Sequence, residues 1–250
     1  MSQSDDTVVL IPSRMASTRL PGKPVADIGG TPMIVHVVRR GQAADLGPVV
    51  VAACEPEVVE AVEMADGEVV MTDPDLPSGS DRIAAALNTI DPGGVHKFVI
   101  NLQGDLPTIE PGAIRACLNA LITTEADIST LAAPITEAEE LANPNVVKAM
   151  ARLSSAEPVS LAEDFARTLP GTWDGPHLHH IGIYAYRRQA LERFVNLPVS
   201  TREAEHKLEQ LRALDNGMTI AVALVDTVPF GVDTPADLDR ARALLAPSAH

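Results

Sequence analysis

The sequence predicts an α/β fold in which a mostly parallel sheet is flanked by helices, and three observations carry that expectation. Short apolar runs bounded by turn residues alternate with longer segments of helical period, the pattern of βαβ units. The early runs are continuous and rich in β-branched residues, as in strands covered on both faces. Ser, Thr and Pro stand where helices should open.

Taken in order, Val8-Val9-Leu10-Ile11 is the first strand, stopped by Pro12. After a long loop, Thr31-Pro32 offers an N-cap and a first-turn proline for a helix to about Asp45, with Met33, Val37 and Val38 on its apolar stripe. Val49 to Ala53 reads as the second strand, Glu55 to Ala65 as a helix and Glu68 to Met71 as another strand. Ser78-Gly79-Ser80-Asp81 has capping-box spacing before the helical run Ile83 to Ile90, and Phe98 to Leu102 is the next buried strand. Beyond about residue 125 the period weakens. Asp127 to Ala133, Val146 to Ala151, Ile181 to Tyr186 and Ala221 to Val225 still read as strands, whereas Ser154 to His180 mixes Pro, Gly, Ser and acids and reads as an irregular lobe. Thr234-Pro235-Ala236-Asp237 repeats the cap, proline and acid pattern and opens a C-terminal helix to about Leu245. No repeat or linker interrupts the chain, so residues 1–250 are expected to form a single domain.

Composition narrows the function. Hydrophobic residues make up 46% of the chain, enough to build a core. Asp and Glu outnumber Lys and Arg by 34 to 19, a net charge of −15, which argues against a nucleic-acid partner. An aromatic content of 3% leaves few surfaces for stacking bases. Cys54 and Cys117 form no ligand-spaced pattern, and no apolar stretch approaches a membrane span. The acidic start lacks the basic and apolar regions of a secretory signal, so a cytoplasmic protein without membrane partners is expected.

Three places could carry chemistry. The loop from Pro12 and Ser13 to Pro24 sets Arg14, Arg19 and Lys23 directly after the first strand, where open α/β sheets bind ligands and cations can neutralise phosphate. A merely solvated basic loop is the alternative. No G-x-G-x-x-G follows this strand, and Gly22-Lys23 lacks the upstream glycine of a P-loop, which disfavours a P-loop kinase. Asp105 follows the Phe98 to Leu102 strand and Asp233 precedes the last helix. Alone, these acids read equally as a turn residue and a helix-terminus acid. Together they suit Mg²⁺, because two carboxylates at about 4 Å repel by roughly 4 kcal/mol at an effective dielectric of 20 unless a cation intervenes.

The stretches IPSRMASTRLPGKP, SGSDR, NLQGDLP, NPNVVK, HHIGIYAYR, KLEQLRAL and GVDTP, in this order along almost the whole chain, resemble the 3-deoxy-manno-octulosonate (Kdo) cytidylyltransferases, the CMP-Kdo synthetases. The resemblance implies a Rossmann-like mixed sheet of the nucleotide-diphospho-sugar transferase type with a smaller, irregular lobe for sugar binding and dimerisation. It further implies a cytoplasmic, Mg²⁺-dependent homodimer whose product feeds lipopolysaccharide synthesis. On that resemblance, Pro12, Ser13, Arg14, Arg19, Lys23, Ser78, Gly79 and Gln103 would hold CTP. Arg14, Lys23, Asp105 and Asp233 would be catalytic, with Asp105 and Asp233 as the metal ligands. Arg167, His180, Tyr184, Glu209 and Gln210 would hold an acidic keto sugar. Without the family match, Glu209 and Gln210 read as a solvated helix face. Zinc at His177, His179 and His180 is disfavoured, since adjacent residues of a strand point to opposite faces. Three departures bear on the sugar and the nucleotide. Cys54 stands where relatives have Asp, Leu76-Pro77 where they have His-Gln, and Asp164 where they have Tyr. They leave room for a related acid such as 8-amino-Kdo or a sialic acid, or for a sugar-nucleotide-binding protein without catalysis.

Overall fold

The structure is a computed structural model and describes residues 6–17 and 19–245. Thr18, in the middle of the basic loop, lies outside the described residues. The chain divides into two compact units, one running to Ile114 and resuming at Pro229, the other spanning Arg115–Val228.

The first unit begins with β1 (Thr7–Pro12), followed by a 3₁₀ turn at Lys23–Val25, β2 (Asp27–Ile28), β3 (Thr31–Pro32) and α1 (Met33–Ala43). It continues through β4 (Val49–Ala53), α2 (Pro56–Glu63), β5 (Glu68–Met71), α3 (Gly79–Ile90) and β6 (Phe98–Asn101). Its strands lie in the order β5-β4-β1-β6, all parallel. Val8, Val9, Leu10 and Ile11 have no solvent exposure, as their unbroken apolar run requires of a strand covered on both faces. From β1 the chain winds outward to β4 and β5, then returns to β6 on the other side of β1. The carboxyl ends of β1 and β6 therefore flank the point where strand order reverses, and the loops after them open into one crevice.

One cap differs from expectation. Thr31-Pro32 does not cap α1; it forms β3, which pairs antiparallel with β2, and Pro32 offers no side-chain cap. The reason is the turn between the strands, where Gly29 and Gly30 both have positive φ, 62° and 83°, as a two-residue hairpin requires. Ser78 behaves as the sequence suggests, its Oγ accepting from the Asp81 N–H at 3.1 Å to start α3.

Helix α4 (Pro111–Thr124) leads into the second unit, which holds β7 (Ile128–Pro134), α5 (Ala138–Ala142), β8 (Lys148–Ala151), β9 (Val159–Ala166) and β10 (Leu178–Arg187). Then come α6 (Arg188–Val195), α7 (Thr201–His206), α8 (Gln210–Asp215) and β11 (Ile220–Leu224). The strand order is β10-β7-β11-β9-β8, with β7 and β11 parallel and the other neighbours antiparallel. The parallel character expected from the sequence runs throughout the first unit's sheet, whereas in the second unit, among the described strands, it is confined to the β7–β11 pair. The lobe expected to be irregular over Ser154 to His180 contains β9, an eight-residue strand. Only Phe165 of β9 is buried and Leu161 is 47% exposed, so the strand lacks the apolar alternation that reveals strands in sequence.

The chain re-enters the first unit, where the last described element is α9 (Pro235–Leu245). Val232, Leu238 and Ala241 pack with Ile28 and Met33 in one buried cluster, which fixes α9 over the β2–β3 hairpin and the start of α1.

Candidate active site

Four backbone segments of the first unit converge at the reversal of strand order. The basic loop leaves β1 through buried Ser13, whose backbone N–H donates to Ala52 O at 2.9 Å. It turns at Gly22, where φ is 71°, and settles into the 3₁₀ turn that carries Lys23. The segment after β6 presses against the end of β1. A Cβ on Gly104 would meet Pro12 O at 3.0 Å, so a side chain there would force the two strand ends apart. The start of α3 also approaches closely, with Gly79 over the Pro12 ring.

The fourth segment is stitched to the second. Thr108 Oγ1 donates to Phe230 O and accepts from the Phe230 N–H, both at 3.0 Å, and the Val232 N–H donates to Asp105 O at 2.9 Å. This clasp brings Asp233 beside Asp105 although 127 positions separate their backbones in the 250-residue chain. Lys23 Nζ donates to Asp105 Oδ2 at 2.9 Å and to Asp233 Oδ1 at 3.0 Å. Arg19 pairs with the other oxygen of Asp233 at 3.0 Å. Burial of the ammonium works to lower the Lys23 pKa, but the carboxylates of Asp105 and then Asp233 outweigh it and hold the pKa above the usual lysine value.

The convergence forms a cavity of about 400 Å³, lined by Pro12, Ser13, Arg14, Arg19, Lys23, Leu76, Ser78, Gly79, Arg82, Gln103, Asp105 and Asp233 among others. All eight residues expected at the nucleotide and both expected metal ligands are therefore together. Arg14 is exposed and has no ion-pair partner among the described residues. Ser13 Oγ is buried without a hydrogen-bond partner, and Gln103 Nε2 donates to Asn101 Oδ1 at 2.9 Å. Ser78 Oγ serves the helix, donating to Asp81 Oδ2 at 2.6 Å, so Ser78 offers this cavity chiefly its backbone.

Sequence reasoning missed Arg82. It is 3% exposed, lines the cavity and is held by Thr72 Oγ1 at 2.6 Å and Asp73 O at 3.1 Å. The signal was its spacing, four residues after Ser78 and so on the same face of α3. Cys54 follows β4 directly, with Sγ 3.7 Å from Ser13 O, and burial followed by the neighbouring Glu55 pushes its thiol up to about 11. A neutral thiol therefore stands at the end of this strand.

The five expected sugar contacts all lie in the second unit. His180 and Tyr184 of β10 are ring neighbours at 5.7 Å, and the Phe165 ring packs against His180 at 5.0 Å. Thr130 Oγ1 lies within bonding distance of His180 Nε2 at 3.0 Å and of the Ile181 and Ile183 carbonyls. Having one proton, the hydroxyl donates to a carbonyl and accepts from Nε2–H, which leaves Nδ1 as an acceptor. Burial, then the neighbouring His179, lowers the His180 pKa to about 3. Burial raises Tyr184, and Tyr186 and Glu209 add to the rise. Glu209 stands at the N-cap position of α8 without a side-chain cap bond, 3.8 Å from the Arg212 guanidinium, and Gln210 Nε2 is buried without a partner. Arg167 is already engaged, donating to His206 O at 2.7 Å, Pro144 O at 3.1 Å and Lys207 O at 3.4 Å. Asp164 is paired with Arg202, whose Nη2 donates to Oδ2 at 2.6 Å.

The donor set fits a hard divalent cation. Two half-exposed carboxylates converge on one point, and that point already attracts the cationic head of Lys23. Among the described residues no group of three or more His, Cys, Asp or Glu side chains is placed to hold a metal ion. No described helix is long and apolar enough to cross a membrane.

The family model described as Cytidylyltransferase matches residues 8–220. The 3-deoxy-manno-octulosonate cytidylyltransferase of Parvibaculum lavamentivorans is 60% identical over 239 residues, covering 96% of this chain and 92% of that protein. The protein of the same name from Paramagnetospirillum magneticum is 57% identical, covering 95% and 97%. A solved structure of CMP:2-keto-3-deoxy-manno-octonic acid synthetase complexed with CTP superposes with a TM-score of 0.85 at 37% identity, covering 96% of this chain and 98% of that one. A cytidylyltransferase from Leptospira borgpetersenii, at 16% identity and a TM-score of 0.62, shares the fold.

Proposed function

The chain belongs to the cytidylyltransferase family, among the 3-deoxy-manno-octulosonate cytidylyltransferases, and from that premise we propose that it activates Kdo with CTP. The anomeric hydroxyl oxygen of the sugar bonds to the α-phosphorus of CTP. The bond from that phosphorus to the bridging oxygen of the β-phosphate breaks, pyrophosphate leaves and the hydroxyl proton passes to solvent. The products are CMP-Kdo and pyrophosphate.

Such a transfer needs positioning and neutralised charge more than covalent help from the protein. Arg14, Lys23 and Arg19 supply cations to the triphosphate, and Arg82 adds a fixed one at the wall of the cavity. Ser13 Oγ, buried and unpartnered, is a free donor for a phosphate or ribose oxygen. Gln103 and the backbone at Ser78 and Gly79 are suited to the ribose and the cytosine edge. Asp105 and Asp233 would hold Mg²⁺, which when bound neutralises charge on the phosphate oxygens. On the sugar side, His180 is a neutral acceptor and Gln210 Nε2 a buried donor in search of an acceptor. Arg167 fixes the corner at the end of α7 through its three carbonyl bonds and acts there as a positioning residue. The proposal extends, by family resemblance, to the two units working as one nucleotidyltransferase, in a cytoplasmic homodimer that serves lipopolysaccharide synthesis.

The observation that carries the reading is the meeting of Lys23, Asp105 and Asp233 at the carboxyl ends of the first unit's strands. Pyrophosphate release should require CTP, Kdo and Mg²⁺ together, and side-by-side rates on 8-amino-Kdo and a sialic acid should favour Kdo. Asp105→Asn should lose turnover by at least about a hundredfold with little change in melting temperature. Near-normal turnover in that variant would overturn the metal assignment, and CTP binding without pyrophosphate release would overturn the reaction.

A further inference from the structure

Lys23 is placed unlike a residue waiting only for phosphate. Its ammonium lies between the two carboxylates, bonded to both, and its side chain is 15% exposed against 34% for Asp105 and 47% for Asp233. The backbone beneath it is held. Lys23 N–H donates to Leu20 O at 3.2 Å, Ala26 N–H returns to Lys23 O at 3.2 Å, and the following Pro24 is buried. Only the four-carbon stem is free to move, and Arg14, exposed and without an ion-pair partner among the described residues, marks where anionic phosphates would gather on the same cavity wall.

We propose that Lys23 is a displaceable internal cation that occupies the divalent-ion position of the free protein and yields it when a nucleotide arrives. This rests on the reading of Asp105 and Asp233 as the metal-holding pair. While the ammonium bridges the carboxylates and Arg19 pairs with the outer oxygen of Asp233, their two charges are matched by two cations, and a divalent ion entering between them meets the Lys23 charge within hydrogen-bond distance. A triphosphate offers the ammonium stronger partners. Swinging toward them, Lys23 uncovers two carboxylates at the moment the phosphates bring their own oxygens to the same point. Metal loading is thereby made contingent on nucleotide, and the free protein is kept from taking up a divalent ion unproductively.

The test is Mn²⁺ affinity of the nucleotide-free protein, read by electron paramagnetic resonance of free Mn²⁺, with no turnover involved. Lys23→Met should bind Mn²⁺ about tenfold or more tightly than the unaltered protein, because a repelling cation has left the site. Lys23→Gln, which keeps a hydrogen-bond donor without the charge, should do the same and covers the case in which the apolar variant fails to fold. Adding Asp105→Asn to either variant should abolish the gain. Unchanged or weaker Mn²⁺ binding in the folded variants, while the unaltered protein still takes up Mn²⁺ with CTP, overturns the displacement and leaves the metal pair standing. Mn²⁺ binding that ignores Asp105→Asn in every background overturns both.

Discussion

Gly104 is the clearest case of one residue deciding the geometry of the site. Pro12 O would lie 3.0 Å from any Cβ at this position, and a backbone oxygen cannot move aside as a flexible side chain can. Gly104→Ala should cost about 1–3 kcal/mol of stability by overpacking and weaken CTP binding, because the ends of β1 and β6 must part. Thermal melts and CTP titration read the two effects. The residues that depart from the family pattern find local accounts as well. Asp164 is engaged by Arg202, which also bonds Asp215 Oδ1 at 2.8 Å, so the acid ties β9 to the α7–α8 region. Cys54, with its thiol near 11, is protonated at neutral pH and has no charge to offer a ligand. Leu76, where the resemblance implies a polar residue, is an apolar part of the cavity wall, and nothing else in the structure explains it.

At the scale of elements, caps and corners carry the site. Thr234 and Asp237 cap α9 reciprocally, Asp237 N–H donating to Thr234 Oγ1 at 3.2 Å and Thr234 N–H to Asp237 Oδ2 at 2.9 Å. Thr234→Ala should cost about 1 kcal/mol and, because Asp233 precedes the cap, should weaken metal-dependent turnover more than that loss of stability explains. Comparing melting temperature with turnover at saturating Mg²⁺ separates the effects. In the second unit, Arg212 bonds both oxygens of Glu203 at 2.6 and 2.8 Å and stacks over Phe194 at 4.9 Å. Glu203 is also the acid of the capping box that starts α7. Arg212→Met would leave a buried carboxylate uncompensated and should cost about 3–5 kcal/mol in denaturant unfolding. Glu203→Gln in the same chain should restore part of the loss. If the single change were neutral, the pair would not be stabilising the α7–α8 corner.

Over the whole molecule, net charge and burial set the response to acid. His180 has a folded pKa of about 3 against an ordinary 6.5, lowered by burial and by His179. A depressed folded pKa in a base means that the unfolded chain takes the proton first. The stabilising contribution is complete above 6.5 and is lost progressively as pH falls toward 3. Between pH 7 and pH 5 this residue alone should remove about 2 kcal/mol, and His180→Gln should flatten that part of the stability curve. An unchanged pH dependence in the variant would mean that other groups govern it. The succession β1, α1, β4, α2, β5, α3, β6 and α9 was legible in the sequence, because continuous β-branched runs and helical periods are local consequences of burial, whereas α4 was not anticipated. The chemical types at the site, three cations and two acids after strand ends, were legible for the same reason. Three further features were not. The β2–β3 hairpin competed with a plausible helix cap, and the paired positive-φ glycines won. Strand β9 has too little burial to imprint an apolar alternation. Arg82 reads as one helix cation among many until α3 is laid against β1. The sequence by itself determined which groups could meet a phosphate and a metal, since side-chain chemistry and local period are written residue by residue. Only the tertiary structure decided that Asp105 and Asp233 meet over Lys23. That meeting depends on the Thr108–Phe230 clasp and on the apolar packing of α9, contacts between segments whose separation along the chain leaves no local trace.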